Sequence, residues 1–265
     1  MKEMQFRHEY KHYLNYGDYL VTRKRLAAVM KRDPHAGTEG IYQIRSLYFD
    51  TSDDKALQEK INGFSEREKF RIRCYCASSE DCPPIPPDTA KAKPDSAACM
   101  ESRNSLLFAD WHMHPDVRFI RLEKKVKQRG MGYKVSTLLT LEQTENIISG
   151  KCDWMAQSGD ALLLELYSKM KMQGLRPKTI VDYTREPFLY PAGNVRVTLD
   201  YNIRTGILET DMLSADIATV PVTPGLFLLE VKYDHFLPDM IRDIVQQQYR
   251  EESAFSKYEA CRIFG

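Results

Sequence analysis

The residues that could do chemistry in this chain are arginines, lysines and carboxylates set at every second position of short extended stretches. In Arg67-Glu68-Lys69-Phe70-Arg71-Ile72-Arg73-Cys74, the alternate positions are Arg67, Lys69, Arg71 and Arg73. Successive side chains of a strand point to opposite faces, so these cations share one face and Phe70, Ile72 and Cys74 share the other. In the segment from Arg121 to Lys127, the residues Arg121, Glu123, Lys125 and Lys127 oppose Leu122, Lys124 and Val126. The pattern recurs with Arg7, Glu9 and Lys11, and with Tyr183 and Arg185. Arg196, Thr198 and Asp200 oppose Val195, Val197 and Leu199, and Glu230 and Lys232 oppose Leu229, Val231 and Tyr233.

An antiparallel sheet with one wet face alternates in this way routinely. Two features point elsewhere. The charged faces are almost entirely Arg, Lys and Glu, whereas a solvated face mixes these with Ser, Thr, Asn and Gln. The opposite faces are apolar enough to pack under helices, which puts the helices outside and the charges inside a curved sheet. Enclosed charges need partners. Cations outnumber carboxylates on these faces, so the missing partner is an anion, and removing Arg71 is expected to relieve repulsion when no ligand is bound. Guanidinium forks match phosphate oxygens in pairs, so a chain of phosphates fits. The carboxylates among them suit a divalent cation, and oxygen ligands select Mg2+ or Mn2+.

The elements that must position these groups can be read from the same periodicity. Strands are expected near 5–13, 41–50, 64–76, 118–128, 177–186, 194–203 and 226–234, and helices near 18–31, 53–61, 141–149, 158–172, 238–248 and 257–263. Thr140 with Gln143, and Ser256 with Glu259, spell capping boxes at two helix starts. Strands and helices mix without βαβ alternation, which indicates an α+β fold with an antiparallel sheet. The glycines between Lys127 and Lys134 suggest a mobile loop after a strand, able to close on nucleotide, or an ordinary turn. Residues 77–115 are rich in Pro, Ser, Asp and Ala; Pro83, Pro84, Pro86 and Pro87 exclude helix and central strand there. The chain from 1 to 265 thus reads as a single domain with an insertion at 77–115.

Composition narrows the classes. The 265 residues are 43% hydrophobic and 28% charged, ordinary for a globular protein. With 38 basic and 37 acidic residues, the net charge of +1 excludes a general nucleic-acid binder, so any anion site is local. No apolar run follows Met1, and no segment is long enough to span a bilayer, so a cytoplasmic protein without a membrane segment is expected. The six cysteines are then expected to be reduced. Cys82, Cys99, His112 and His114 match no standard zinc spacing and read as part of a surface insertion.

Eight short motifs occur in order: Glu9-Tyr10-Lys11, Ser46-Leu47-Tyr48-Phe49-Asp50-Thr51, Lys69-Phe70-Arg71-Ile72-Arg73, Leu122-Glu123-Lys124-Lys125, Tyr183-Thr184-Arg185, Arg196-Val197-Thr198-Leu199-Asp200, Leu229-Glu230-Val231-Lys232 and Ser256-Lys257-Tyr258. Together they resemble the VTC domain, the polyphosphate polymerase branch of the triphosphate tunnel metalloenzymes. The resemblance implies an antiparallel β-barrel tunnel, a metal ion, and transfer of the ATP γ-phosphate onto a growing polyphosphate chain. It places Lys11, Arg71, Arg73, Arg185 and Arg196 on the reacting phosphates, Glu230 on the metal, and Ser256 and Lys257 on phosphate at one end of the tunnel. Lys69, Lys125, Lys127, Lys134, Tyr183 and Lys232 are further candidates for binding ATP, polyphosphate or pyrophosphate. Glu9, Glu123 and Asp200 either orient the cations or supply a second metal ligand. The alternatives are a tunnel-type inorganic or nucleoside triphosphatase and a non-catalytic polyphosphate receptor.

Overall fold

A computed structural model describes residues 7–34, 36, 40–76, 117–128, 131–214, 217–246 and 255–263. The insertion at 77–115, with Cys82, Cys99, His112 and His114, lies outside the described residues. The strands are β1 (His8–Leu14), β2 (Lys31–Arg32), β3 (Tyr42–Asp50), β4 (Arg67–Cys76), β5 (Val117–Gln128), β6 (Met131–Leu139), β7 (Arg176–Tyr190), β8 (Val195–Thr205), β9 (Val220–Pro221) and β10 (Phe227–Tyr233). The α-helices are α1 (Tyr16–Val29), α2 (Lys55–Ile61), α3 (Leu141–Ile148), α4 (Ala161–Gln173), α5 (Asp239–Val245) and α6 (Lys257–Arg262). No helix among the described residues is long and apolar enough to cross a membrane.

The strands form one antiparallel sheet in the order β1-β10-β8-β7-β3-β4-β5-β6, with β2 added to β7 and β9 to β8. The sheet curls into a half-barrel. Side chains cross its hollow: Lys125 Nζ on β5 lies 3.2 Å from Glu9 Oε2 on β1.

Burial fixes which face is which. On one stretch of the convex face, Leu47, Phe70, Ile72, Cys74 and Leu122 pack with Ile147 of α3 and with Leu162, Leu163 and Leu166 of α4. On the other, Val195, Val197, Leu199, Leu229 and Val231 pack with Tyr19 and Leu26 of α1 and with Ile241 and Val245 of α5. Each such side chain contributes about 1.5–3 kcal/mol of burial free energy. Even the one cation on the apolar side of β5 follows this division: Lys124 reaches outward to Glu68 and to Glu165 of α4. These helices begin as their sequence dictates. Thr140 and Gln143 form the reciprocal capping box of α3, and Asp160 caps α4 by accepting from the amides of Leu162 and Leu163.

Two features extend the sequence reading. The stretch after Lys127 is not a loop of eight residues. Strand β5 runs to Gln128 and β6 begins at Met131, with Gly132 paired to Lys127 and Lys134 to Lys125. Strand β6 was illegible because Met131, Val135 and Leu138 are all exposed, so neither of its faces carries an apolar stripe. Second, α6 sits on the concave face, where Tyr258 and Cys261 join Tyr48, Val181, Tyr183 and Ile203. Tyr258 stacks on Tyr48 with centroids 5.0 Å apart and donates its hydroxyl to Asp50 at 2.5 Å. Asp50 also accepts the amides of Thr51, Ala56 and Leu57, which ties the start of α2 to the same corner.

Candidate functional site

The concave face carries a belt of four carboxylates, each held by cations from neighbouring strands. Glu123 on β5 meets Arg71 Nη2 at 2.6 Å, Lys134 Nζ at 2.6 Å and Arg73 Nη1 at 3.9 Å. Asp200 on β8 accepts from Arg185 Nε and Nη2, each at 2.7 Å, and from Lys257 Nζ at 2.6 Å. Glu9 on β1 lies 2.9 Å from Lys11, 3.2 Å from Lys125 and 3.7 Å from Lys232. Glu230 on β10 contacts Lys232, and Lys11 lies 3.8 Å away. Burial alone would push all four carboxyls up. The surrounding ammonium and guanidinium groups win and hold each below its ordinary range: Lys232 and Lys11 at Glu230, Arg185 and Lys257 at Asp200, Arg71 and Arg73 at Glu123. Glu9 is drawn down to about 2, chiefly by Lys232 and Lys125. All four are therefore anionic at neutral pH.

Cations and a phenol on the same face are shifted as well. Lys69 donates to the Ser256 hydroxyl at 3.4 Å, and its ammonium lies 5.8 Å from the centre of the Tyr48 ring. Burial, together with Lys125, Lys11 and Arg71, lowers its pKa to about 8. Burial, Lys232 and Lys11 bring Lys125 to about 8 as well. Lys127 is shifted down by burial and by Arg67. Tyr48 accepts from Arg71 Nη1 at 2.8 Å. Burial would raise its phenol, but Arg71, Lys69 and Arg73 pull it down to about 7. The phenol thus acts as a partial counter-anion in a place where a carboxylate would otherwise be expected.

The structure brings the sequence-predicted residues together, with differences in role. Arg73 donates to Ser46, Tyr75 and Tyr183, the last at 2.8 Å. The Tyr183 hydroxyl is therefore engaged, and its ring also lies 4.7 Å under Lys257 Nζ. Arg196 donates to Asp33 at 2.7 Å, while its buried Nε has no hydrogen-bond partner among the described residues. Ser256 caps α6 by accepting from the Glu259 amide. Tyr48, read in a motif, and Thr198, read on the face of Arg196 and Asp200, were not named as site residues from the sequence. Thr198 stands opposite Glu230 in the ladder, and its hydroxyl is buried with no partner among the described residues. Alternation in β3 places Ser46 and Tyr48 together, but uncharged residues carried no signal in a reading built on charge.

A divalent cation was expected on Glu230, with Glu9, Glu123 and Asp200 as further candidates. Among the described residues, no three His, Cys, Asp or Glu side chains converge as a cation cage. Glu123 is taken by Arg71 and Lys134 on β4's side of the lumen. Glu230 and Glu9 share Lys11 and Lys232, so they are near neighbours. That donor set fits a Mg2+-like or Mn2+-like ion, which takes one or two carboxylates from protein and its remaining oxygens from phosphate and water.

A curled antiparallel sheet whose hollow side is lined by cations and buried carboxylates, with helices over its convex side, defines a triphosphate-tunnel protein. The VTC domain family model matches residues 6–85 and 109–263, and the chain belongs to that family. No curated protein matches the chain. Among solved structures, it is similar to a putative adenylyl cyclase from Hippeastrum described as having a dominant triphosphatase activity, at 10% identity, 96% and 94% coverage of the two chains and a TM-score of 0.48. It is also similar to a putative adenylate cyclase from Vibrio parahaemolyticus, at 12% identity, 97% and 98% coverage and a TM-score of 0.44. A putative adenylate cyclase from Bacillus halodurans matches at 10% identity, 86% and 80% coverage and a TM-score of 0.43. At these TM-scores the likeness is loose.

Proposed function

We propose that this protein is a polyphosphate polymerase that transfers the γ-phosphate of ATP onto the end of a polyphosphate chain. The observation that carries this reading is that cations reach one lumen from six strands. Lys11 comes from β1, Arg71 and Arg73 from β4, Lys125 from β5, Arg185 from β7, Arg196 from β8 and Lys232 from β10, where Lys232 adjoins Glu230. A linear anion can be contacted along its length by such a wall, whereas a single pocket would hold only its end.

Phosphoryl transfer depends mainly on positioning and charge stabilisation. Arg71, Arg73 and Arg185 would hold and neutralise the reacting phosphoryl group, with Lys11 beside them. Lys69, Lys134, Ser256 and Lys257 would orient the donor and acceptor chains. Glu230, with Glu9, would hold Mn2+ or Mg2+, which when bound supplies charge stabilisation to phosphate oxygens. The acceptor is an anionic phosphate oxygen, so no general base is required. His8 and His12 alternate with Glu9 and Lys11 along β1, which is consistent with that absence of a role.

The test is incubation of the protein with ATP and Mn2+ or Mg2+, followed by a gel that resolves polyphosphate. ADP together with a ladder of phosphatase-sensitive polymer is expected. Orthophosphate without polymer would make the protein a triphosphatase of the same fold. Tight polyphosphate binding without turnover would make it a receptor.

A further inference from the structure

We propose that the tunnel has a polarity: the far part of the polyphosphate chain, beyond the transfer belt, runs out past Arg67, Lys69 and Lys127 and over Lys55 of α2. This rests on the polymer reading above and assigns a path to that polymer.

The argument begins with the order of charges along the lumen. Arg71 pairs in register with Glu123, Lys69 with Lys125 and Arg67 with Lys127. Beyond Glu123, therefore, β4 and β5 offer the lumen four cations and no carboxylate of their own; Lys125 meets Glu9 of β1, which leaves Arg67, Lys69 and Lys127. Space opens at this end of the strands, at the rim between the concave face and the convex core residues Phe49 and Phe70. A cavity of about 270 Å³ lies between α2, the adjoining ends of β4 and β5, and the end of α4. Lys55, Arg67, Lys69 and Lys127 line it. Lys69 belongs to both regions, because its ammonium also meets Ser256 at the start of α6.

The carboxylates around this cavity do not neutralise it. Glu68 is held by Lys124 and Lys169. Asp50 is occupied by three backbone amides and by Tyr258. Across the whole lining, five cations, Lys169 included, stand against the four carboxylates Asp50, Glu59, Glu66 and Glu68, an excess of one positive charge. The opposite end of the lumen differs. There Arg196 meets Asp33 at 2.7 Å and Arg7 meets Asp234 at 2.8 Å. Among the described residues, the end beside α2 combines open space with cations in excess, which is what a chain of phosphates leaving the belt requires.

Tripolyphosphate is short enough to stay in the belt, whereas long-chain polyphosphate must reach the mouth. Affinity for each is therefore measured by calorimetry without metal, on the wild type and on the double variant Lys55→Gln with Arg67→Gln. The double variant is expected to bind long-chain polyphosphate roughly tenfold more weakly, for two lost charge contacts, with tripolyphosphate affinity unchanged. Lys55 is exposed, so Lys55→Glu alone gives a second variant whose folding is not in question; it should show the same selective loss. Arg7→Gln, at the other end, should leave both affinities as they are.

Equal loss for both ligands, no loss for either, or as large a loss in Arg7→Gln would overturn the proposal. The measurement needs no turnover. A wild type that makes no polymer but shows the selective loss removes the polymerase reading and keeps the chain path. One that makes polymer without the selective loss does the reverse.

Discussion

Glu9 and Lys125 stand on strands that share no backbone pairing, yet Lys125 Nζ lies 3.2 Å from Glu9 Oε2. This ion pair crosses the hollow from the edge strand β1 to β5, the strand next to the other edge strand β6. It also explains why Glu9 is drawn so low: Lys11 and Lys232 approach the same carboxylate from its own side. The carboxylates of the belt thus hold the same cations that the proposed function assigns to phosphate. On that reading a phosphate entering the belt would compete with Glu9 for Lys125 and with Asp200 for Arg185. Binding would then exchange one set of ion pairs for another.

The first prediction concerns Glu230. The carboxylate is 7% exposed and contacts Lys232, with Lys11 at 3.8 Å. Glu230→Gln keeps the shape and removes the charge. Turnover with Mn2+ or Mg2+ should fall on the order of a hundredfold or more, while the thermal transition stays cooperative. Near-normal turnover in a folded variant would show that the metal role lies elsewhere.

The second sets Arg71 against Phe70, neighbours that face opposite ways. Phe70 is 2% exposed in the convex core, so Phe70→Ala should cost about 3–5 kcal/mol of stability. From the sequence, loss of Arg71 was expected to relieve repulsion in the empty tunnel. The structure reverses that expectation. Arg71 donates to Glu123, which is 1% exposed, and to the Tyr48 hydroxyl. Arg71→Ala leaves that carboxylate with fewer partners, so it should lower the melting temperature as well as phosphate affinity. A ligand-free melting temperature above wild type would restore the repulsion argument.

How much of this was legible in the sequence follows from what each residue must do. Alternation in β4, β5, β8 and β10 gave the inner and outer faces, because those strands pack helices on one side and charges on the other. Strand β6 was lost because both its faces are partly exposed. The pairing of charges was also hidden. Spacing places Arg71 and Glu123 on the same side of the sheet, but only the register of β4 on β5 sets them opposite each other. Tyr48 was visible as a residue in a motif and invisible as a counter-anion, because its phenol is shifted by cations from β4, brought close only when the sheet forms.

The last prediction is a pH dependence. In the ligand-free protein Lys69 titrates at about 8, below its ordinary 10.5, because burial and its cationic neighbours disfavour the charge. Tyr48 titrates at about 7, below its ordinary 10.0. In the unfolded chain both return to their ordinary values. Between these limits the unfolded chain binds more protons than the folded one, so the stability of the ligand-free protein gains from both groups as pH rises. A bound phosphate chain has the opposite preference, since it favours a charged Lys69 and a protonated Tyr48. Binding should take up protons and weaken as pH rises through about 8. Lys125, also at about 8, adds in the same direction. Tripolyphosphate is added without metal and melting temperatures are recorded across this range. The ligand-induced rise should be largest near the lower end and shrink toward the upper end. Lys69→Met, which removes the titrating group and keeps the length of the side chain, should flatten that trend. A ligand-induced rise that stays constant or grows with pH would show that Lys69 and Tyr48 do not face the bound phosphates.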